Sequence, residues 1–492
     1  MRSILRNLLV VSLALPFPIA AGCTGQTFPP PEEGGVGGGP DFSSTTGGFS
    51  SFAATGGGFM PPGFWTKQYG DAEDQKAGAV AVNEAGDLAL TGSARGTIDF
   101  GNIPWTGSPT DNDVFVAKLS REGQSQWSRR YGDSCAQNGR AVALAPTGDV
   151  LIAGDFCGKM DFGKTTIAAA AGEVDLFVAL IDDIGEDVYS LRLGGAGSQV
   201  ARAAVVDAKG NAILVGSFEE AFDDGSGAVA SAGLDDAFVI KLDPTGKVLW
   251  SRRFGGLEAD IARAVVVDPG GNVIVGGSFG DSVDFGGGPI VVPTGHSSAF
   301  VMALDPQGKH LWSRSFTGDH ETVVNGLAAS SSGLVAATGS FAGTTDFGSG
   351  PALSDGAEDA FLAVIKSDGQ PLWERTFGGP QSQSGTGVAF GPNDDLAISG
   401  TSQDAIDFDT GDVSPGVPSP TPELLFLARF AGNGTFLTSR VFANVVPMES
   451  VGIGLDSQSG AVMVGSFQKT VEYEFGAIES AGGWDVLVSH SE

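Results

Sequence analysis

Apolar residues along this chain fall in short runs, each bounded by Gly, Pro, Asp or Asn. ARAVVVD (262–268) and NVIVGGSF (272–279) flank the turn Pro269-Gly270-Gly271. A longer segment containing Asp284-Phe285-Gly286 follows. AFVMALD (299–305) and HLWSRSF (310–316) then flank Pro306-Gln307-Gly308-Lys309. Runs this short, rich in β-branched and aromatic residues, predict β-strands. The turn residues between them supply positive φ or fix φ, so each break has a local cause. No segment has a convincing helical period. The unit is therefore four strands, a to d, with a short a–b turn, a long b–c segment and a short c–d turn.

That unit repeats. An aromatic at the strand-d position recurs at Trp65, Trp127, Tyr189, Trp250, Trp312, Trp373 and Phe436, spaced 61–63 residues apart. A strand-c landmark recurs at Phe115, Phe177, Phe238, Phe300, Phe361, Phe426 and Leu487. A four-stranded sheet leaves two apolar faces bare, and radial stacking of such units buries both. The prediction is an all-β, seven-bladed β-propeller over residues 64–492. The chain enters at a d-type strand, FWTKQY (64–69), and ends at a c-type strand, DVLVSH (485–490). Pairing those two would complete one blade, close the ring and remove an exposed sheet edge. Eight blades is the alternative count, for which the sequence offers no missing unit.

The pattern DAFVIKLDPTGKVLWSRRFGG (236–256), followed by ARAVVVDPGGNVIVGGSF and DFG, resembles the bacterial SBBP-type β-propeller repeat. The resemblance covers roughly residues 64–490 and extends to Gly-rich surface lipoproteins of the myxobacterial kind. It implies a propeller at the cell envelope and carries no catalytic motif. KLDPTGKVLW (241–250) is also similar to the docking motif of quinone-cofactor propellers, over one turn and a Trp.

The N-terminus sets the expected address. Arg2 and Arg6 precede an apolar run, Leu8 to Ala21, too short to span a bilayer comfortably. Small residues then lead to Cys23, which reads as a secretory signal and cleavage site. The Ala20-Ala21-Gly22-Cys23 ending resembles a bacterial lipobox, although Ala20 stands where Leu is usual. Residues 1–22 are read as a lipoprotein signal and Cys23 as the lipid-bearing residue. Residues 23–63, rich in Gly, Pro, Ser and Thr, are read as a flexible tether. Export to the outer membrane or cell surface follows, with a lipid anchor as the one membrane contact. The two remaining cysteines, Cys135 and Cys157, fall in the d–a loop and just after strand b of one unit. An exported chain permits a disulfide between them.

Composition narrows the partners. Lys+Arg number 27 and Asp+Glu 58, a formal charge of -31, which argues against nucleic acid. The long b–c and d–a loops fall on one face, and loops on a rigid scaffold are the expected binding elements. The longest, Thr401 to Glu423, contains SPGVPSPTPE, whose prolines argue against a regular strand. Trp105, His320 and Trp484 are the candidate contacts on this face.

Other motifs read as structure. Gly276-Gly277-Ser278-Phe279-Gly280 matches G-x-S-x-G, but Ser278 recurs in phase as Ser93, Ser217, Ser340 and Ser466. The histidines, His296, His310, His320 and His490, lie at different phases and make no zinc spacing. Asp99, Asp161, Asp284 and Asp346, each before Phe-Gly, read as turn caps beside a core Phe; weak calcium binding stays open. No catalytic residue, metal site or other cofactor is predicted. The expected function is a non-catalytic binding or scaffold module for a protein or polysaccharide of the cell envelope. The alternatives are a quinone- or metal-dependent propeller enzyme and an outer-membrane assembly scaffold.

Overall fold

Each apolar run is a strand, and the strands assemble in the predicted order. The computed structural model describes residues 63–491, apart from 171–173, 226, 293–294, 409–411, 414–422, 445–447 and 474–475. The signal, Cys23 and all of the tether before Gly63 lie outside the described residues. No helix occurs among the described residues.

Seven antiparallel four-stranded sheets form the ring. Blade 1 contains Gln75–Val82, Leu88–Ala94, Asp113–Leu119 and Ser125–Tyr131 as strands a, b, c and d. Blades 2 to 6 repeat this order over 137–193, 199–254, 261–318, 322–377 and 383–444. Blade 7 takes strands a, b and c from Glu449–Leu455, Ala461–Phe467 and Asp485–Ser491, and strand d from Trp65–Tyr69. The closing register runs from Trp65 opposite His490 to Tyr69 opposite Val486. Trp65 stacks on the His490 ring at 5.7 Å, and Thr66 and Ser489 share a 3.2 Å hydrogen bond. His490 sits where Lys241 and Arg429 sit in other blades. Those two pair with Asp207 and Asp395 of their a–b turns, and the His490 ring lies 3.8 Å from Asp456. His490 is thus part of the seam.

The recurring strand-d aromatic joins six of the seven blades to the next. The indole N–H of Trp65, Trp127, Trp250, Trp312 and Trp373 donates to Arg121, Asp183, Pro306, Ser367 and Gly432 O, at 2.9–3.0 Å. Every acceptor belongs to the c–d turn of the following blade. Two residues after the Trp, Lys67, Arg252, Arg314 and Arg375 donate to the carbonyl of a Gly in that same turn. The Gly lies flat on the aromatic ring. At Gly308, φ is +77°, and a Cβ there would stand 2.8 Å from the Trp250 ring. The turn within KLDPTGKVLW is built alike, with Gly246 against the Tyr189 ring.

The b–c segments depart from the expected loops. Each folds into a hairpin of two- to four-residue strands, including Ile406–Asp407 and Asp412–Val413 inside the Pro-rich Thr401–Glu423 segment. The proline stretch of that segment, residues 414–422, lies outside the described residues. In five hairpins Asp Oδ1 accepts the N–H two residues on, as Asp99 does from Gly101 and Asp284 from Gly286. In most, the residue after the Asp is a Phe that inserts between blades. Phe285 packs on Phe254 of the preceding blade and on Phe279 and Phe300 of its own. Phe100 packs on Tyr69 and Phe115, and Phe347 on Phe316, Phe341 and Phe361. Blades diverge outward from the ring axis, and these rings fill the gap that divergence opens.

Two substitutions test the junction. Gly308→Ala places a side chain at positive φ against Trp250 and should destabilise by about 2–3 kcal/mol. Trp250→Phe keeps an aromatic but removes the bond to Pro306 O and should cost about 1–2 kcal/mol. Denaturant midpoints at unchanged slope check both.

Candidate functional site

The three predicted contact residues do not converge. Trp105 belongs to the blade 1 hairpin, half-buried, with its indole N–H on Ser128 Oγ at 2.9 Å. It packs against the core shared by blades 7 and 1. Period-2 alternation cannot be read from a strand as short as Trp105–Thr106. Trp484 lies at the blade 7–blade 1 junction, with Lys76 Nζ 4.0 Å above its ring. Lys76 in turn pairs with Glu449 at 2.6 Å. His320 lies between blades 4 and 5, with its side chain 62% exposed and Nδ1 3.0 Å from Asp319 Oδ1. His296 approaches it at 6.0 Å between ring centroids. Among the described residues no three His, Cys, Asp or Glu side chains converge as a metal group would require.

Cys135 and Cys157 form a disulfide with a Cα–Cα distance of 5.7 Å. The Cys157 N–H also donates to Ala136 O. The bridge ties the d–a loop to the end of strand b, the structural role that the repeat phases predicted. Ser278 of the G-x-S-x-G stretch is buried within strand b, with no turn to present a nucleophile.

One site escaped the sequence reading. Every strand a carries a register shift partway along, visible for example between Gly139 and Ala141 and between Ala262 and Ala264. A bulge re-aims the extra side chain. The shifted residues all line one cavity of about 190 Å³ at the ring axis. Three consecutive blades place arginines there: Arg140, Arg202 and Arg263. Asn325 and Thr386 follow and are fixed by neighbouring blades, Asn325 on Ser384 Oγ and Gly385 O, Thr386 on Ser450 Oγ. Gly78 and Val451 complete the wall.

The arginines differ in their partners. Arg140 pairs with Asp155, which also accepts from Asn138. Arg202 and Arg263 are half-buried, and the Nε of each is buried with no hydrogen-bond partner. Burial pulls both guanidinium groups below their ordinary range. The neighbouring charge adds to this, Arg140 acting on Arg202 and Arg202 on Arg263. A sequence signal exists: Arg recurs within N-G-R-A, V-A-R-A and I-A-R-A. It is visible only once the strands are aligned, because the bulge breaks the alternation that separates inward from outward positions.

A second electrostatic feature concerns stability. Gln75, Gln137, Gln199 and Gln383 begin strand a in their blades and are fully buried. Gln75 and Gln137 each brace the preceding loop through Nε2, Gln75 to Asp71 Oδ1 and Gln137 to Asp133 Oδ1. Blade 4 has Asp260 at this place, 1% exposed. Burial first, with Asp236 adding to it, raises its carboxyl to about 7, against the Gly256 N–H it accepts. Burial likewise raises Asp485 to about 6.

No family model matches this chain. A stretch of 172 residues, 34% of the chain, is 26% identical to "Regulatory protein FlaEY" of Caulobacter vibrioides and covers 18% of that protein. Another of 129 residues, 24% of the chain, is 25% identical to "Uncharacterized WD repeat-containing protein L264" of Acanthamoeba polyphaga mimivirus and covers 9% of it. The chain thus spans less than a fifth of these curated relatives. Among solved structures, Sqt1 from Chaetomium thermophilum is similar at a TM-score of 0.40 and 14% identity, over 87% of this chain and 100% of that one. YCF48 bound to D1 peptide is similar at a TM-score of 0.42 and 10% identity, over 88% and 96%.

The carboxyls raised by burial hold a proton that the unfolded chain has lost above about pH 4. Their contribution to stability is therefore full below about pH 4 and is lost progressively as pH rises from there to about 6 for Asp485 and about 7 for Asp260. Asp260→Gln should raise stability at pH 8 by about 1–2 kcal/mol and flatten the fall in melting temperature between pH 5 and 8. Cys135→Ser with Cys157→Ser should cost roughly 2–3 kcal/mol, measured in denaturant.

Proposed function

We propose that this chain is a non-catalytic binding or scaffold propeller of the SBBP-repeat type, held at the bacterial envelope by lipid on Cys23. In this reading, residues 23–63 hold the ring clear of the membrane, and the outer surface of the b–c hairpins takes a protein or glycan of the envelope. The observation that carries the reading is the division of labour among the surfaces. The c–d turns are occupied by the junctions between blades, while the outward sides of the hairpins carry side chains that vary in sequence. Val291 and Leu353 hold the same hairpin position on blades 4 and 5 and are 69% and 70% exposed. The corresponding residues elsewhere are Thr106, Ala168, Ala230 and Glu479. Exposed Leu257 lies nearby, before blade 4. A rigid frame with changeable outward residues suits recognition. The formal charge of -31 favours basic or neutral partners over anionic membrane surfaces.

The test is capture from the parent envelope with the full chain, comparing wild type with Val291→Asp/Leu353→Asp. The expected outcome is a partner retained by wild type, lost at least tenfold in the variant, at unchanged melting temperature. Equal capture by both proteins would remove the hairpin surface from the reading. Labelling of Cys23 by a lipid precursor, lost in Cys23→Ser, checks the anchor separately.

A further inference from the structure

We infer that the axial cavity is an anion-binding site in which Arg202 and Arg263, flanked by Arg140, hold the oxyanion groups of a small polycarboxylate or phosphate ligand. The bulges of three adjacent blades aim three guanidinium groups into one space. Only Arg140 has a carboxylate partner, Asp155. Asp155 and Asp235 act on Arg202 through space without a hydrogen bond.

Two adjacent, half-buried guanidinium groups with no carboxylate partner are unfavourable. Each loses hydration, each repels the other, and each has a buried donor without an acceptor. A ligand with two or more oxyanion groups offsets the lost hydration and the repulsion, since guanidinium donors match carboxylate and phosphate geometry. The opposite wall is neutral: Asn325 and Thr386 are committed to neighbouring blades, and Val451 is apolar. The ligand should therefore carry its charge on one side. A cavity of about 190 Å³ suits a small anion rather than a drug-sized molecule. The chain as a whole repels anions, so binding must come from this local arc of charge.

The experiment uses the full chain, with citrate and pyrophosphate as probes for the carboxylate and phosphate sources. Thermal shift and calorimetry are run against sodium chloride of matched ionic strength. The expected result is stabilisation by at least one probe, weakened roughly 10–100-fold in Arg202→Gln/Arg263→Gln. Arg252→Gln, on the outer rim, should leave binding unchanged. The ligand-free double variant should melt no lower than wild type, because it relieves the unpaired charges, so loss of folding would not mimic loss of binding. No stabilisation of wild type beyond chloride by either probe would overturn the site. So would binding that persists undiminished in the double variant, or a double variant that melts well below wild type without ligand.

Discussion

The junction between consecutive blades is the contact on which the ring depends. A strand-d Trp donates its indole N–H to the following blade's c–d turn, and a Gly in that turn lies against the ring face. Each part requires the other. Without Gly, the turn could not adopt positive φ or come within van der Waals distance of the indole. Without the indole, the turn carbonyl would lose its donor. The Arg or Lys two residues later adds a charged donor to the same turn. The arrangement repeats from blade 7 into blade 1, where Trp65 and Lys67 hold the turn at Arg121 and Gly123. The first and last strands of the ring meet where blade 6 would grip blade 7. There Arg440 lies 5.1 Å from the Phe64 ring, and Phe64 packs on Tyr473, so side chains do the work of a continuous turn.

A second constraint follows from radial geometry. Sheets that fan outward cannot stay in contact at the rim, and close packing does not tolerate the resulting gap. The hairpin Phe fills it, and the Asp before it fixes the turn. This changes the meaning of the long b–c segments. Their length is set largely by packing, and variation is confined to the side chains that face away from the ring.

Much of this architecture was legible in the residues. Two landmarks with a common spacing gave the blade count, and the mismatch of a d-type start with a c-type end gave the closure. The phase of Cys135 and Cys157 placed both on one side of one blade. The hairpins were not legible, because strands of two to four residues carry too few positions to show alternation. Trp105 consequently looked like a loop residue with no packing role. The axial arginines were hidden for a related reason. A bulge adds one residue to strand a, so Arg202 and Arg263 fall out of the alternating pattern and look like solvated charges in apolar runs.

The two findings bear on each other. A bulge can hold a costly side chain in place only if the strand carrying it cannot slip, and strand a is the innermost strand, locked by its own sheet and its neighbours. The blade junctions and rim hairpins supply that rigidity far from the axis. Asp260 shows that the frame also tolerates an expensive substitution, a carboxylate where other blades use Gln. The two cases differ in geometry. Asp260 is closed off in the core and accepts a backbone N–H, so protonation relieves it. The guanidinium groups stay charged at any physiological pH and border an open cavity, where an anion would pair with them. The arc of positive charge at the axis of a chain with formal charge -31 is thus explained better as a site than as an accident of packing.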